Sequence, residues 1–343
     1  MSLAKAIGGV MAAEPAGAPG PDAIWNTWRA DFPHHAVFAN ARSALAAWLA
    51  HRQVRRIWLP AYVCGAVAEA AAAARVSARY YGVSLALEPD CAALERELAP
   101  GDAVLIVAYF GRRPHDAGRD LMARRPEALF IEDRAQALDP GAASIAETVI
   151  YSPRKLLGVA DGGILFARAP LPAPGGPADD RLWAPQDARA ADPDGLAPQQ
   201  WRPLFTAAED SMRPGAACAT ARTLAVLKSS ALAPIADARR ANWRALADAL
   251  APWALWRETA PDFAPLAFPI LAADAAHAVA ALAERRIWAP RHWASVPSDP
   301  AAFPDPHRLA GACISLPLDQ RYGPVEMSRI VEAVNAGVPP YPR

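Results

Sequence analysis

A carboxylate, a primary amine, a helix start and an aromatic ring each stand directly after an apolar run of this sequence. After Leu129-Phe130-Ile131 come Glu132, Asp133, Arg134, Ala135 and Gln136; after Val149-Ile150-Tyr151 come Ser152, Pro153, Arg154 and Lys155. The run 37–40 leads into Ala41-Arg42-Ser43, which opens a helix, and Ile57-Trp58-Leu59 leads to Pro60 and Tyr62. In parallel α/β sheets, ligands bind beyond the carboxyl ends of the strands. These residues are therefore expected on one rim. Their chemistry suits pyridoxal 5'-phosphate (PLP), which needs a lysine amine for its Schiff base and a carboxylate to keep the pyridine nitrogen protonated. It also needs N–H donors for a phosphate dianion, which a helix N-terminus supplies. On this reading Lys155 is the catalytic amine and Asp133 the carboxylate. Ala41, Arg42, Ser43 and Ser152 hold the phosphate, Tyr62 stacks on the ring, and Gln136 reaches the ring hydroxyl.

Each residue also has a plainer role. A lysine after a strand is usually a solvated rim charge, Ser43 can serve only to start a helix, and Tyr62 can simply pack. Acidic residues ending an apolar strand also occur in nucleotide-binding ATPases, but no GxxxxGK[ST] is present, and GxGxxG is absent as well.

The elements that must carry the rim alternate. Strands are predicted at 37–40, 56–59, 78–83, 103–109, 128–131, 148–152 and 164–167, with helices at 41–51, 61–75 and 91–98. Continuous apolar runs such as 103–109 fit strands buried on both faces. The alternation predicts an α/β fold with a mostly parallel seven-stranded sheet. Residues 168–200, dense in Pro, Gly and Ala, are predicted as a long loop. Farther on, ADARRANWRALADAL (236–250) is an amphipathic helix, and 266–271, 273–284 and 325–334 complete a smaller α+β lobe. The division expected is a mobile N-terminal arm (1–35), a large cofactor-binding domain (36–225) and a small C-terminal domain (226–343).

Composition narrows the class. The 343 residues carry 35 basic and 35 acidic side chains, so no basic surface for nucleic acid or an anionic membrane is expected. No apolar stretch approaches the roughly 20 residues of a membrane span. The start has a lysine and a short apolar run, but Gly8 and Gly9 break it and it reads as an arm rather than a signal. Four scattered cysteines and seven scattered histidines match no metal spacing, so no metal is expected and the thiols fit a cytoplasmic protein. Lysine occurs at only three positions, Lys5, Lys155 and Lys228, while arginine supplies the rest of the 35 basic residues. A lysine kept against that bias points to a need for a primary amine.

The stretches FANARSALAAWL, WLPAYVCGAV, VAYFGRRPHD, FIEDRAQAL and YSPRKLLGVADGGIL resemble, in this order, the DegT/DnrJ/EryC1/StrS aminotransferases. RRANWRALADAL, FPIL and SLPLDQRYGPVEM resemble that family's small domain, so the likeness covers about 36–167 and 236–334. The resemblance implies fold type I, a homodimer, and transfer of an amino group from an amino acid to a keto-sugar, often nucleotide-linked, or similar carbonyl acceptor. By position it makes Lys155 the Schiff-base lysine, Asp133 the partner of the pyridine nitrogen and Gln136 a cofactor neighbour. The chain departs from the pattern in having Ala41-Arg42 where Gly-Thr is common, and WRPLFTAAEDSMRPGAACAT where Asn-x-Arg-x-x-Glu is usual. A PLP-dependent lyase or dehydratase of the same fold, or an inactive PLP-fold protein with a binding or regulatory role, is the alternative. Arg286, Arg291 and Arg321 are candidates for the donor carboxylate.

Overall fold

The computed structural model describes residues 4–114, 116–139 and 143–342. Seven strands form the main sheet: β1 (His34–Phe38), β2 (Arg56–Pro60), β3 (Ser77–Tyr81), β4 (Ala103–Val107), β5 (Leu129–Asp133), β6 (Thr148–Tyr151) and β7 (Gly163–Ala167). Their order is β1-β7-β6-β5-β4-β2-β3, and only β7 runs against the others. The register pairs Val107 with Asp133 and Asp133 with Ile150, so three neighbouring strands end at the same level. Helices cover both faces, which is why every residue of β4, β6 and β7 is buried and why these strands read as unbroken apolar runs.

Helix α1 (Ala41–His51) follows β1, and its buried Ala44, Leu45, Trp48 and Leu49 recur at helical spacing toward the sheet. Asn40 caps it, its side chain accepting from Ser43 N at 2.9 Å. Helix α2 (Gly65–Ala73) follows β2 in the same way. The smaller lobe pairs β8 (Phe268–Leu271) with β9 (Cys313–Leu316) antiparallel, flanked by helices that include Leu232–Ala249, Ala275–Glu284 and Pro324–Gly337. One apolar core runs through both lobes, from Trp48 and Leu105 to Trp243, Ile314 and Ile330. No helix is long and apolar enough to cross a membrane among the described residues.

Two segments differ from the sequence reading. The arm is packed: Ile7–Gly8 pairs in parallel with Ile287–Trp288, and Ile24, Trp25 and Trp28 are buried in a second apolar cluster. Its glycines and alanines gave a mobile look, but the tryptophans that anchor it find partners only in the folded lobe. The span 168–200 is also partly ordered as helix, in Ala184–Ala190 and the start of Pro198–Ser211. Both carry proline in the first turn, where the missing N–H costs nothing. A proline count therefore overstated the loop.

Candidate active site

The local chain sets Lys155. Strand β6 ends at Tyr151, and a single tight turn, Pro153–Lys155, follows, closed by Lys155 N donating to Ser152 O at 3.2 Å. The return through Gly162 and Gly163 passes against the start of α1: a Cβ on Gly163 would lie 2.1 Å from the Asn40 carbonyl. Glycine is required there because the lysine loop and the helix N-terminus touch backbone to backbone. The buried Asp161 carboxylate fixes the same return, accepting from Thr220 N at 2.8 Å and from the Thr220 and Thr223 hydroxyls.

Lys155 lies on the boundary of two spaces. The first is a narrow cleft. Asp133 lines it from the end of β5, Gln136 from the turn that follows, Ala41 and Arg42 from the first turn of α1, and Trp293 from the small lobe. The second is a wider groove between the lobes, lined among others by Val10, Trp201, Phe205, Trp288 and His292.

Asp133 accepts from Ala135 N at 2.8 Å, which turns its carboxylate toward the cleft. Burial pushes its pKa up, and the Lys155 ammonium and the Ala135 amide only partly oppose this. Its neighbours are neutralised on the other face of the strand. Buried Glu132 and Arg134 pair at 2.6 Å, and Arg134 also donates to the Tyr151 hydroxyl at 3.0 Å. Gln136 is buried and asymmetric. Its Oε1 accepts from Phe110 N at 2.7 Å, while Nε2 has no partner. Because the Phe110 amide fixes which end is oxygen, an unsatisfied donor is left on a cleft-lining residue.

The residues expected to hold the phosphate are divided. Ala41 and Arg42 line the cleft, and Arg42 is held by Glu69 at 3.6 Å and by the Met212 carbonyl. The Ser43 hydroxyl is already engaged, donating to Asn40 Oδ1 at 3.1 Å and accepting from Gly215 N at 3.0 Å. Ser152 is buried beneath the lysine turn and is not among the residues lining the cleft. The segment that departs from the family pattern thus has a place: Met212 to Gly215 closes on the start of α1, and Trp201 to Phe205 walls the groove.

Tyr62, expected against the ring, is fully buried behind the cleft and donates to the His292 carbonyl. Its ring contacts Trp293 at 5.4 Å, and Trp293 is the aromatic residue that faces the cleft. Trp293 and His292 were not found from the sequence, since a lone His-Trp pair in RHWAS carries no spacing signal. Burial, with the Lys155 charge adding to it, pulls His292 down to about 3, so it is a neutral imidazole, with Nδ1 2.7 Å from Ser315 Oγ. Arg154, beside the lysine, is bound by both oxygens of Glu209. Of the arginine candidates, Arg321 lines the groove, held by Asp319 at 2.7 Å; Arg286 and Arg291 donate to backbone carbonyls elsewhere. No group of three His, Cys, Asp or Glu able to hold a metal occurs among the described residues.

No protein-family profile matches the sequence, and no curated protein matches it. Solved structures do match over nearly the whole chain. A DegT DnrJ EryC1 StrS aminotransferase from Brucella abortus superposes with a TM-score of 0.65 at 17% identity, covering 91% of this chain and 87% of that one. The sugar aminotransferase CalS13 from Micromonospora echinospora gives 0.66 at 16%, covering 98% and 99%. The PLP form of Spr1654 from Streptococcus pneumoniae gives 0.68 at 14%, covering 98% of both chains. The fold is that of the fold type I aminotransferases. The overall fold is therefore shared with these proteins, although fewer than one residue in five is.

Proposed function

We propose that this protein is a PLP-dependent aminotransferase that moves an amino group from an amino acid to a keto-sugar or similar carbonyl acceptor. The observation that carries the reading is the cleft itself: one lysine amine, one carboxylate and one unsatisfied amide donor on the residues that line it. The residues present fit the cofactor. Asp133 would meet the pyridine nitrogen, Gln136 Nε2 would donate to the ring hydroxyl, and Arg42 with the first turn of α1 would meet the phosphate. Trp293 would cover a ring face. When bound, PLP supplies an electron sink for the carbon bearing the amine. The protein's part is to hold a proton on the ring nitrogen through Asp133 and to move a proton at the substrate carbon through the Lys155 amine. A cationic ring nitrogen would also relieve the raised pKa of Asp133, because an opposite charge favours the carboxylate.

Substrates would enter by the groove, where neutral His292 adds no competing charge. A homodimer is proposed on the same fold likeness, with the exposed Leu196 (44%) and Leu204 (41%), near the groove-lining Trp201 and Phe205, as apolar contacts for a second copy. Four free thiols fit a cytoplasmic setting. The test is the visible spectrum of purified protein with PLP, before and after L-glutamate or another amino donor. A yellow band that shifts with donor, and that borohydride fixes onto Lys155, supports the reading. Protein that takes up no PLP overturns it.

A further inference from the structure

Arg239 is fully buried on the helix Leu232–Ala249, more than 80 residues beyond the lysine turn. Its guanidinium is used almost completely. Nη2 donates to Leu156 O at 2.8 Å, Nη1 to Pro265 O at 2.9 Å, and Nε to Gln320 Oε1 at 2.9 Å. The Leu156 carbonyl, one residue past Lys155, also accepts from Gln320 Nε2 at 3.1 Å. On the other side of the turn, Glu14 of the N-terminal segment accepts from Gly158 N at 3.0 Å, and Glu14 N donates to Gly158 O at 2.9 Å. The approach is close enough that a Cβ on Gly158 would sit 1.8 Å from the Ala12 carbonyl. Gln320 Nε2 lies 3.5 Å from Glu14 Oε1, which joins the two clamps. Burial pulls Arg239 to about 10, with Asp319 and Glu14 holding it up and Arg321 opposing them, so it remains a cation.

We propose that Arg239 and Glu14 are positioning residues for Lys155: together they grip the carbonyl of Leu156 and the amide of Gly158, and so fix the direction in which the lysine leaves its turn. Neither touches the cleft. A lysine on a turn with no other anchor would sweep a wide arc, because its four-carbon stem has many rotamers. Misplacement by about 1 Å at a reacting amine can cost about 100-fold in rate. The clamp also explains why residues 12–14 are held against the lysine turn.

The inference rests on the aminotransferase reading for its kinetic part only. Two measurements test it: amide hydrogen exchange of residues 156–162 in cofactor-free protein, and kcat and KM for the amino donor in the loaded enzyme. Glu14→Ala is expected to speed exchange by about tenfold or more and to lower kcat by about 10- to 100-fold with little change in KM. Glu14→Gln, which keeps an acceptor for Gly158 N, is expected to restore both. Arg239→Lys, which cannot span three acceptors, is expected to behave like Glu14→Ala. The neighbouring Arg240→Lys should leave both readings at the wild-type level. If folded Glu14→Ala exchanges and turns over like wild type, or if only KM changes, the proposal is overturned. If wild-type protein takes up no PLP, the aminotransferase reading fails, and the exchange data still decide whether the clamp holds the turn.

Discussion

The two sides of Lys155 are built in different ways. The cleft side is assembled from strand ends and the residues just after them: Asp133 ends β5 and Gln136 follows it, with Ala41 and Arg42 at the first turn after β1. The groove side is assembled from many distant stretches, among them the N-terminal segment, the helix Pro198–Ser211, and the segments around Leu266, Trp288 and Asp319. Charge differs as well. On the cleft side Asp133 keeps a raised pKa and Gln136 keeps a free donor, so unmet demand is stored there. On the groove side Arg154 is matched by Glu209 and Arg321 by Asp319. Groove-lining Trp288 Nε1 and Gln186 Oε1 are also without partners, so the contrast is one of charge: the cleft sets a buried carboxylate of raised pKa beside the amine, while Arg154 and Arg321 in the groove are ion-paired.

Lys155→Ala tests whether both sides serve one residue. Turnover is expected to fall by about 10⁴-fold or more, and borohydride should no longer attach the cofactor to the chain. Steady-state assay and peptide mapping read this. Retained turnover in Lys155→Ala would break the comparison outright, since nothing else on the boundary carries a primary amine.

Asp133→Asn should be next in size, with kcat lower by about 10²- to 10³-fold, as for loss of one preorganised electrostatic group. It carries an opposite effect on the empty protein. Burial raises the folded pKa of Asp133 above its unfolded value, so the native state binds the proton more tightly. Stability therefore falls as pH rises through the window between the two values, and the loss is complete above the raised value. Asparagine removes that loss. Cofactor-free Asp133→Asn is expected to melt higher than wild type near neutral pH, with the gap closing in acid. A lower melting temperature at every pH would show that the carboxylate is not strained there.

Most of the fold was legible because it rests on local periodicity. Seven apolar runs became seven strands, and the expected helix at 236–250 falls within Leu232–Ala249 save for its last residue. The cleft side was legible for the same reason: a strand end positions the next few residues, whatever the rest of the chain does. The N-terminal segment and residues 183–211 were not, because their order comes from tertiary partners such as Trp183 Nε1 on Thr220 rather than from propensity. Tyr62 shows the limit most clearly. Its place after β2 was read correctly, but whether its ring faces the cleft or lies behind Trp293 depends on a small-lobe residue 231 positions away, which no local pattern reports.

Gln136→Glu sharpens the idea of unmet demand. The new side chain can still accept from Phe110 N, so the turn should survive, but the free donor becomes an acceptor facing an oxygen. PLP affinity is expected to weaken by about tenfold, read by absorbance titration, with the melting temperature of the empty protein little changed. Equal affinity in the variant would mean that Nε2 faces something other than the ring hydroxyl.

The smallest expected effect settles which aromatic ring belongs to the cleft. A stacked ring is worth about 0.5–1.5 kcal/mol, so Trp293→Leu should weaken PLP binding by roughly threefold to tenfold. Tyr62→Phe keeps its ring and loses only the hydrogen bonds of its hydroxyl, with the His292 carbonyl and the Cys313 thiol, so it should change affinity less than twofold. Tyr62→Leu tests the other assignment, because it removes a ring that lies in the second layer. If Tyr62→Leu weakens binding more than Trp293→Leu does while both proteins stay folded, the tyrosine turns inward on the bound cofactor, and the cleft side is built from strand-end residues alone.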